Sequence, residues 1–360
     1  MTNSQLTFGR NLSVCLFTAL AICLAVELAC SHFGIAPFFA SNVPLDQKLQ
    51  FIRDHRPGPA PVGLISGASV ALNDVDSDLL EDEEGQPFIN LGANALPMQS
   101  AQRLYEQVAE IFPVREVILA ADPLEMRDAF RAQVEIPTDV LRRYVLGQMT
   151  IAEEFTYRDI SGLRAYADNW SKYHSPSDPN SLVFSRTGDA PLEINEENSD
   201  PALWSGDTMT AETTCVHCTD ALAAFCSEVR SQGRPFTVVL GPIRQEVLER
   251  YPELRAVDDD HRARVQAVVQ QCGGTLFDVT SFFTFSDACF ANSVHLNARG
   301  MYALTEQLER FRRHETFAKG ELLSCGAAPA PGSPDLVDGG HPGTHLQVDS
   351  AGSDSFKTLR

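Results

Sequence analysis

The sequence predicts an α/β protein with a parallel sheet covered on both faces, preceded by one membrane helix. Short apolar runs alternate with helical patterns from Val62 onward, an almost unbroken apolar run lies near the N-terminus, and the composition can fill a sizeable core. The 360 residues are 44% hydrophobic and 8% aromatic, which excludes wholesale disorder. The formal net charge is −20, the reverse of the basic footprint of a nucleic-acid binder. A neutral or cationic small molecule or a polysaccharide suits that charge better.

The first element is the run Leu12 to Ala29, interrupted mainly by Ser13, Thr18 and Glu27. At about 1.5 Å per residue it reaches roughly 27 Å, enough for a thin hydrocarbon core. Phe33, Phe38 and Phe39 then supply an aromatic border. A signal anchor, a cleaved signal peptide and a buried helix compete. The run exceeds a signal-peptide core and no small-x-small cleavage site follows, so residues 1–40 are read as an uncleaved anchor. Residues 41–61, with Pro44, Pro57, Pro59 and Pro61, read as a linker.

Five strands follow: Val62 to Ile65, Pro87 to Leu91, Val114 to Ala120, Phe236 to Leu240 and Thr275 to Val279. Helical patterns cover Ser100 to Ile111 and Asn297 to Phe311. The domain is expected to span 62–318, with an insertion at about 132–232 forming a cap or rim. Residues 319–360 read as a disordered tail, rich in Ala, Pro, Gly and Ser towards the end. The acidic cluster from Asp74 to Glu84 lacks calcium-loop spacing and reads as a solvated helix and turn.

Cys15, Cys23 and Cys30 belong to the anchor region. Six others remain: Cys215, Cys218, Cys226, Cys272, Cys289 and Cys325. An even number in an exported domain is compatible with disulfides. Cys272 and Cys289 flank the fifth strand and are the candidate pair. Cys215-Val-His-Cys218 resembles half a zinc site, but no second half follows, so disulfides or buried thiols are expected there.

Two passages can carry chemistry. Leu64-Ile65-Ser66-Gly67-Ala68-Ser69 is an apolar strand running into Gly-x-Ser, and ligands gather at the carboxyl ends of parallel strands. Gly67 permits the tight turn, the Ser69 amide could help hold an oxyanion, and Ser66 is the reserve nucleophile. The competing role for Ser69 is a helix cap. His295 lies between the fifth strand and the last helix, again at the carboxyl end. A serine base must approach its hydroxyl closely, so Ser69 Oγ and a His295 ring nitrogen are expected within about 4 Å.

These passages resemble the SGNH (GDSL-like) hydrolase superfamily, most closely its membrane-anchored branch of exopolysaccharide O-acetylation and teichoic-acid alanyl-transfer proteins. Gly67-Ala68-Ser69, trailed by Val75 to Leu80, is similar to the first block. Asn90-Leu91-Gly92 is similar to the second, and Ser293 to Gly300 to the last. The resemblance implies a flavodoxin-like three-layer α/β/α sandwich of SGNH type. It implies an ester hydrolase or O-acyl (acetyl) transferase acting on extracytoplasmic, periplasmic carbohydrate, without metal or organic cofactor. A membrane-bound acyltransferase is the implied partner. Ser69 would be nucleophile, His295 base, and the Ser69 and Gly92 amides the oxyanion donors.

Two positions depart from the family. Ala121 stands where an oxyanion Asn is usual, and Asn292 stands where the triad Asp is usual. Asn292 could orient His295 but brings no charge. Either Asp287 or Asp122 substitutes, or the reaction is slow, or the domain is a degenerate glycan-binding or scaffold protein.

Overall fold

The computed structural model describes residues 3–40, 42–122, 136–158, 160–194, 199 and 216–325. The chain begins with α1 (Asn3–His32) and α2 (Val43–Asp54), then enters the sheet at β1 (Val62–Ser66). α3 (Ser69–Asn73), α4 (Ser77–Glu84), β2 (Phe88–Asn90), α5 (Met98–Ala109) and β3 (Val114–Ala121) follow. Next come α6 (Thr138–Val145), α7 (Ile151–Phe155), α8 (Ile160–Asp168), α9 (Trp170–His174), α10 (Val216–Ser231) and β4 (Phe236–Leu240). The last elements are α11 (Gln245–Arg250), α12 (Glu253–Cys272), β5 (Thr275–Asp278), β6 (Phe283–Phe285), α13 (Ala298–Arg312) and β7 (Glu321–Leu323).

The first five strands pair in parallel in the order β2-β1-β3-β4-β5. That order reverses direction at β1, which places a crevice between the carboxyl ends of β1 and β3. Alternate residues of each strand face opposite layers. Leu64, Val117, Leu119 and Val238 pack with α2, α5, α6, α10 and α12 on one side. Ile65, Ile118, Ala120 and Val239 pack with α3, α4 and α13 on the other. The result is a three-layer α/β/α sandwich. Gly67 enables the turn after β1: its φ is +134°, and a Cβ there would meet the Ala120 carbonyl oxygen at 2.3 Å.

Over 11–32, α1 is long and apolar enough to cross a membrane, and only 6% of its most apolar window is buried. The stretch read as a linker contains α2, which packs Leu45, Leu49 and Ile52 into the core. Its Leu-x-x-x-Leu-x-x-Ile spacing is that of a covering helix, obscured in sequence by the surrounding prolines. Similarly, α10 falls inside the expected insertion yet buries Leu222, Phe225, Cys226 and Val229 against the sheet layer. It is therefore part of the β3-to-β4 crossover. The expected tail starts ordered: β7 pairs with β6 in parallel and ends beside Cys325.

The cysteines pair differently from expectation. The disulfides are Cys226–Cys272, with Cα atoms 6.1 Å apart, and Cys289–Cys325, at 5.0 Å. Packing of α10 on α12 brings the first pair together, and the β6–β7 pairing brings the second. Proximity in sequence around β5 was the wrong guide. Cys215 and the side chain of Cys218 lie outside the described residues, as do 326–360.

Candidate active site

The loop after β1 and the loop before α13 meet at the carboxyl edge of the sheet. Ser69 opens α3, but the cap position belongs to Ala68, which makes no side-chain cap hydrogen bond. The Ser69 hydroxyl is instead 2.8 Å from His295 Nε2. His295 is only 6% exposed, while Ser69 is half-buried. Ser66 ends β1 and is itself buried.

Asn292 fixes the imidazole. Its Oδ1 accepts from the backbone amides of Val294 at 3.1 Å and His295 at 2.9 Å. Both partners can only donate, so the amide cannot be turned over without facing Nδ2 towards two N–H groups. Nδ2 therefore points at His295 Nδ1, 2.9 Å away, and donates to it. With Nδ1 accepting, the proton of the neutral ring sits on Nε2, which donates to Ser69 Oγ. Burial pushes the His295 pKa down to about 4, which keeps the ring neutral near pH 7. The pair has the spacing that a serine nucleophile and its base require, in the tautomer in which Nε2 donates to the hydroxyl rather than accepting from it.

The other expected residues are placed as follows. Asp287 is ion-paired with Arg244, Nε to Oδ1 at 3.3 Å, whereas the partner of His295 Nδ1 is Asn292. Asp122 directly follows β3, is buried, and lies close enough to Asp74 for their charges to interact. The Gly92 amide donates to Asn90 Oδ1 at 2.7 Å, so an oxyanion would have to displace that bond. Ala121 ends β3 and offers no side-chain donor. A cavity of about 450 Å³ is lined by Phe38, Tyr157 and Arg158, and one of about 260 Å³ by Ile243, Arg262 and Phe283. Neither includes Ser69 or His295 in its lining.

The supporting roles of three groups are not visible in the sequence, although Asn90 belongs to the second matched block. Asp74 belongs to the acidic cluster expected to be solvated, yet it is fully buried at the end of α3. Its Oδ1 accepts from the Leu296 amide at 2.9 Å and so ties α3 to the histidine loop. Burial raises its pKa well above the usual carboxylate range, and nearby Asp122 adds to the rise. Asn90 donates to the Ala71 carbonyl at 2.6 Å and to Asp189 at 2.7 Å. Lys48, from α2, is buried over the Phe184 ring and donates to the Gly188 carbonyl. Burial lowers the Lys48 pKa and raises that of Asp189. The only sequence signal for Asp74 was its spacing of five from Ser69, one short helix away.

No protein-family model matches this chain, and no curated protein matches it.

Proposed function

We propose that this chain is a membrane-anchored, SGNH-type serine ester hydrolase or O-acyl transferase acting on extracytoplasmic carbohydrate. The observation that carries the reading is the 2.8 Å contact between Ser69 Oγ and His295 Nε2 at a parallel-sheet switch point. Ser69 would attack an acyl carbonyl and pass its proton to His295, which returns it to the departing alcohol as the ester C–O bond breaks and the acyl-enzyme forms. Water or a sugar hydroxyl would then take the acyl group. The disulfides Cys226–Cys272 and Cys289–Cys325 support an oxidising, extracytoplasmic setting for the domain. The carbohydrate and the acyltransferase partner rest on the resemblance of the three sequence blocks.

The Asn292 amide favours a second reading, a binding or scaffold domain of an envelope acylation complex. Attack requires a free Nε2 lone pair, hence a proton on Nδ1, which would then face the Asn292 N–H group. Labelling of the detergent-solubilised full chain with a serine-reactive fluorophosphonate separates the two. Label on wild type that disappears in Ser69→Ala supports the enzyme. Label only in Asn292→Asp supports the scaffold built on a lapsed site. No label in either variant, with the fold intact, removes the acyl-transfer reading.

A further inference from the structure

The junction between α1 and the domain is built without slack. After His32 the chain turns at Gly34, whose φ is +64°, and the Phe39 and Ala40 amides both donate to Asp46 Oδ1 at 2.9 Å. Asn42 then caps α2 by accepting from the Leu45 amide. Glu27 interrupts the apolar run of α1, yet it is not a misfit there. Arg158, which follows α7, meets it with two contacts of 2.9 and 3.0 Å and also donates to the Ile35 carbonyl. The Arg158 and Glu27 side chains are only 4% and 7% exposed. A buried pair of this kind requires fixed geometry, because either charge alone would be uncompensated.

Around this pair α1 keeps bare apolar side chains at the same level, with Leu24 49% and Leu28 58% exposed. Bare leucine beside a pinned helix belongs in hydrocarbon. From Leu28 to Phe33 the helical rise is about 7–8 Å, comparable with the roughly 5–8 Å headgroup layer on one side of a bilayer. Phe33 is 52% exposed, and Trp170 of α9, 47% exposed, lies edge-on to it with ring centroids 6.4 Å apart. Trp170 stacks on His174 at 3.6 Å, and Tyr166 of α8 packs edge-on to Trp170 at 5.9 Å. Aromatic rings with polar edges are the residues that settle at this depth. Arg164 and Lys172 on the same two helices outnumber Asp168, a local basic balance in a chain of net charge −20.

We propose that the face formed by α8, α9 and the end of α1 rests in the headgroup layer of the bilayer that α1 crosses. The domain is thereby seated on the membrane at fixed height and tilt rather than swinging on a tether. This inference is independent of the chemistry at Ser69.

The test uses the full chain in phosphatidylcholine–phosphatidylglycerol vesicles with Trp204→Phe, which leaves Trp170 as the single tryptophan. The expected result is blue-shifted emission, quenching by lipids spin-labelled near the headgroup that exceeds quenching by mid-chain labels, and at least about 2-fold protection from aqueous acrylamide relative to free tryptophan. If Trp204→Phe does not fold, the difference between wild type and Trp170→Phe gives the same signal. Full acrylamide quenching without lipid quenching overturns the proposal. Protection from both quenchers also overturns it, because a protein surface then covers the face.

Discussion

The Glu27–Arg158 junction and the Ser69–His295 loop pair both bury polar side chains, and they treat charge in opposite ways. At the junction a carboxylate and a guanidinium meet through two hydrogen bonds, and a carbonyl takes a third guanidinium N–H. At the loop pair a buried imidazole faces an amide, and among the described residues no carboxylate is hydrogen-bonded to the ring. Beside it, buried Asp74 keeps one oxygen without a hydrogen-bond partner among the described residues. Asp46, beside the junction, likewise keeps Oδ2 without a hydrogen-bond partner among the described residues, so the contrast lies in the countercharge rather than in hydrogen-bond completeness. The compensated pair fits the seating proposed for α1, and the loop pair without a countercharge fits the proposed acyl-transfer site.

The sharpest way to break this contrast is Asn292→Asp. The new carboxylate keeps an oxygen for the Val294 and His295 amides and turns the other to Nδ1, which must then carry the proton. Turnover of a small acetyl ester should rise by up to about 10⁴-fold, the reverse of the loss seen when a triad Asp becomes Asn. The acid limb of its pH profile should also move upward from about 4, because a carboxylate stabilises imidazolium. An unchanged rate with Ser69-dependent activity would mean that another acid serves the ring.

Arg158→Ala should cost about 3–5 kcal/mol in denaturant unfolding of the detergent-solubilised chain, since Glu27 is left buried and unpaired. Glu27→Gln combined with Arg158→Met should recover much of that loss. Equal losses in the single and double variants would show that the junction is held by packing instead.

A third measurement follows the folded-state depression of His295, from 6.5 to about 4. The unfolded chain binds this proton first as pH falls, so the stability is complete above about 6.5 and is lost between there and about 4. The loss is roughly 3 kcal/mol. His261, depressed to about 3 by burial, acts in the same direction and extends the window downward. Comparing unfolding at pH 7 and 4.5 for wild type and His295→Gln isolates the first contribution. A pH dependence unchanged by His295→Gln would remove it from the site's account.

The smallest expected effect comes from Gly92→Ala. A Cβ there would meet the Leu72 amide nitrogen at 2.6 Å and Asn90 Oδ1 at 2.8 Å. A loss of about 1–3 kcal/mol is expected, with weakened support of α3. Unchanged stability would mean that the Asn90–Gly92 turn is softer than its packing suggests.

The sequence by itself determined the apolar α1, the five strands of the sheet and the strand-end position of Ser69 and His295. These are local properties: a long hydrophobic run, short apolar runs between helical patterns, and a Gly-x-Ser or His loop beside a strand are each visible in contiguous sequence. The tertiary structure alone decided the rest. α2 looked like a proline-bounded linker until Leu45, Leu49 and Ile52 found the sheet layer. Asp74 looked solvated because its neighbours are acidic, and only the approach of Leu296 from 222 residues away explains its burial. Cys226 and Cys289 found partners 46 and 36 residues distant, which no spacing rule selects. Asn292 could be seen in sequence as a missing charge, but the direction of its amide was not. That direction depends on two backbone N–H groups that converge on one oxygen only when the loop is folded, and it decides which imidazole nitrogen holds the proton.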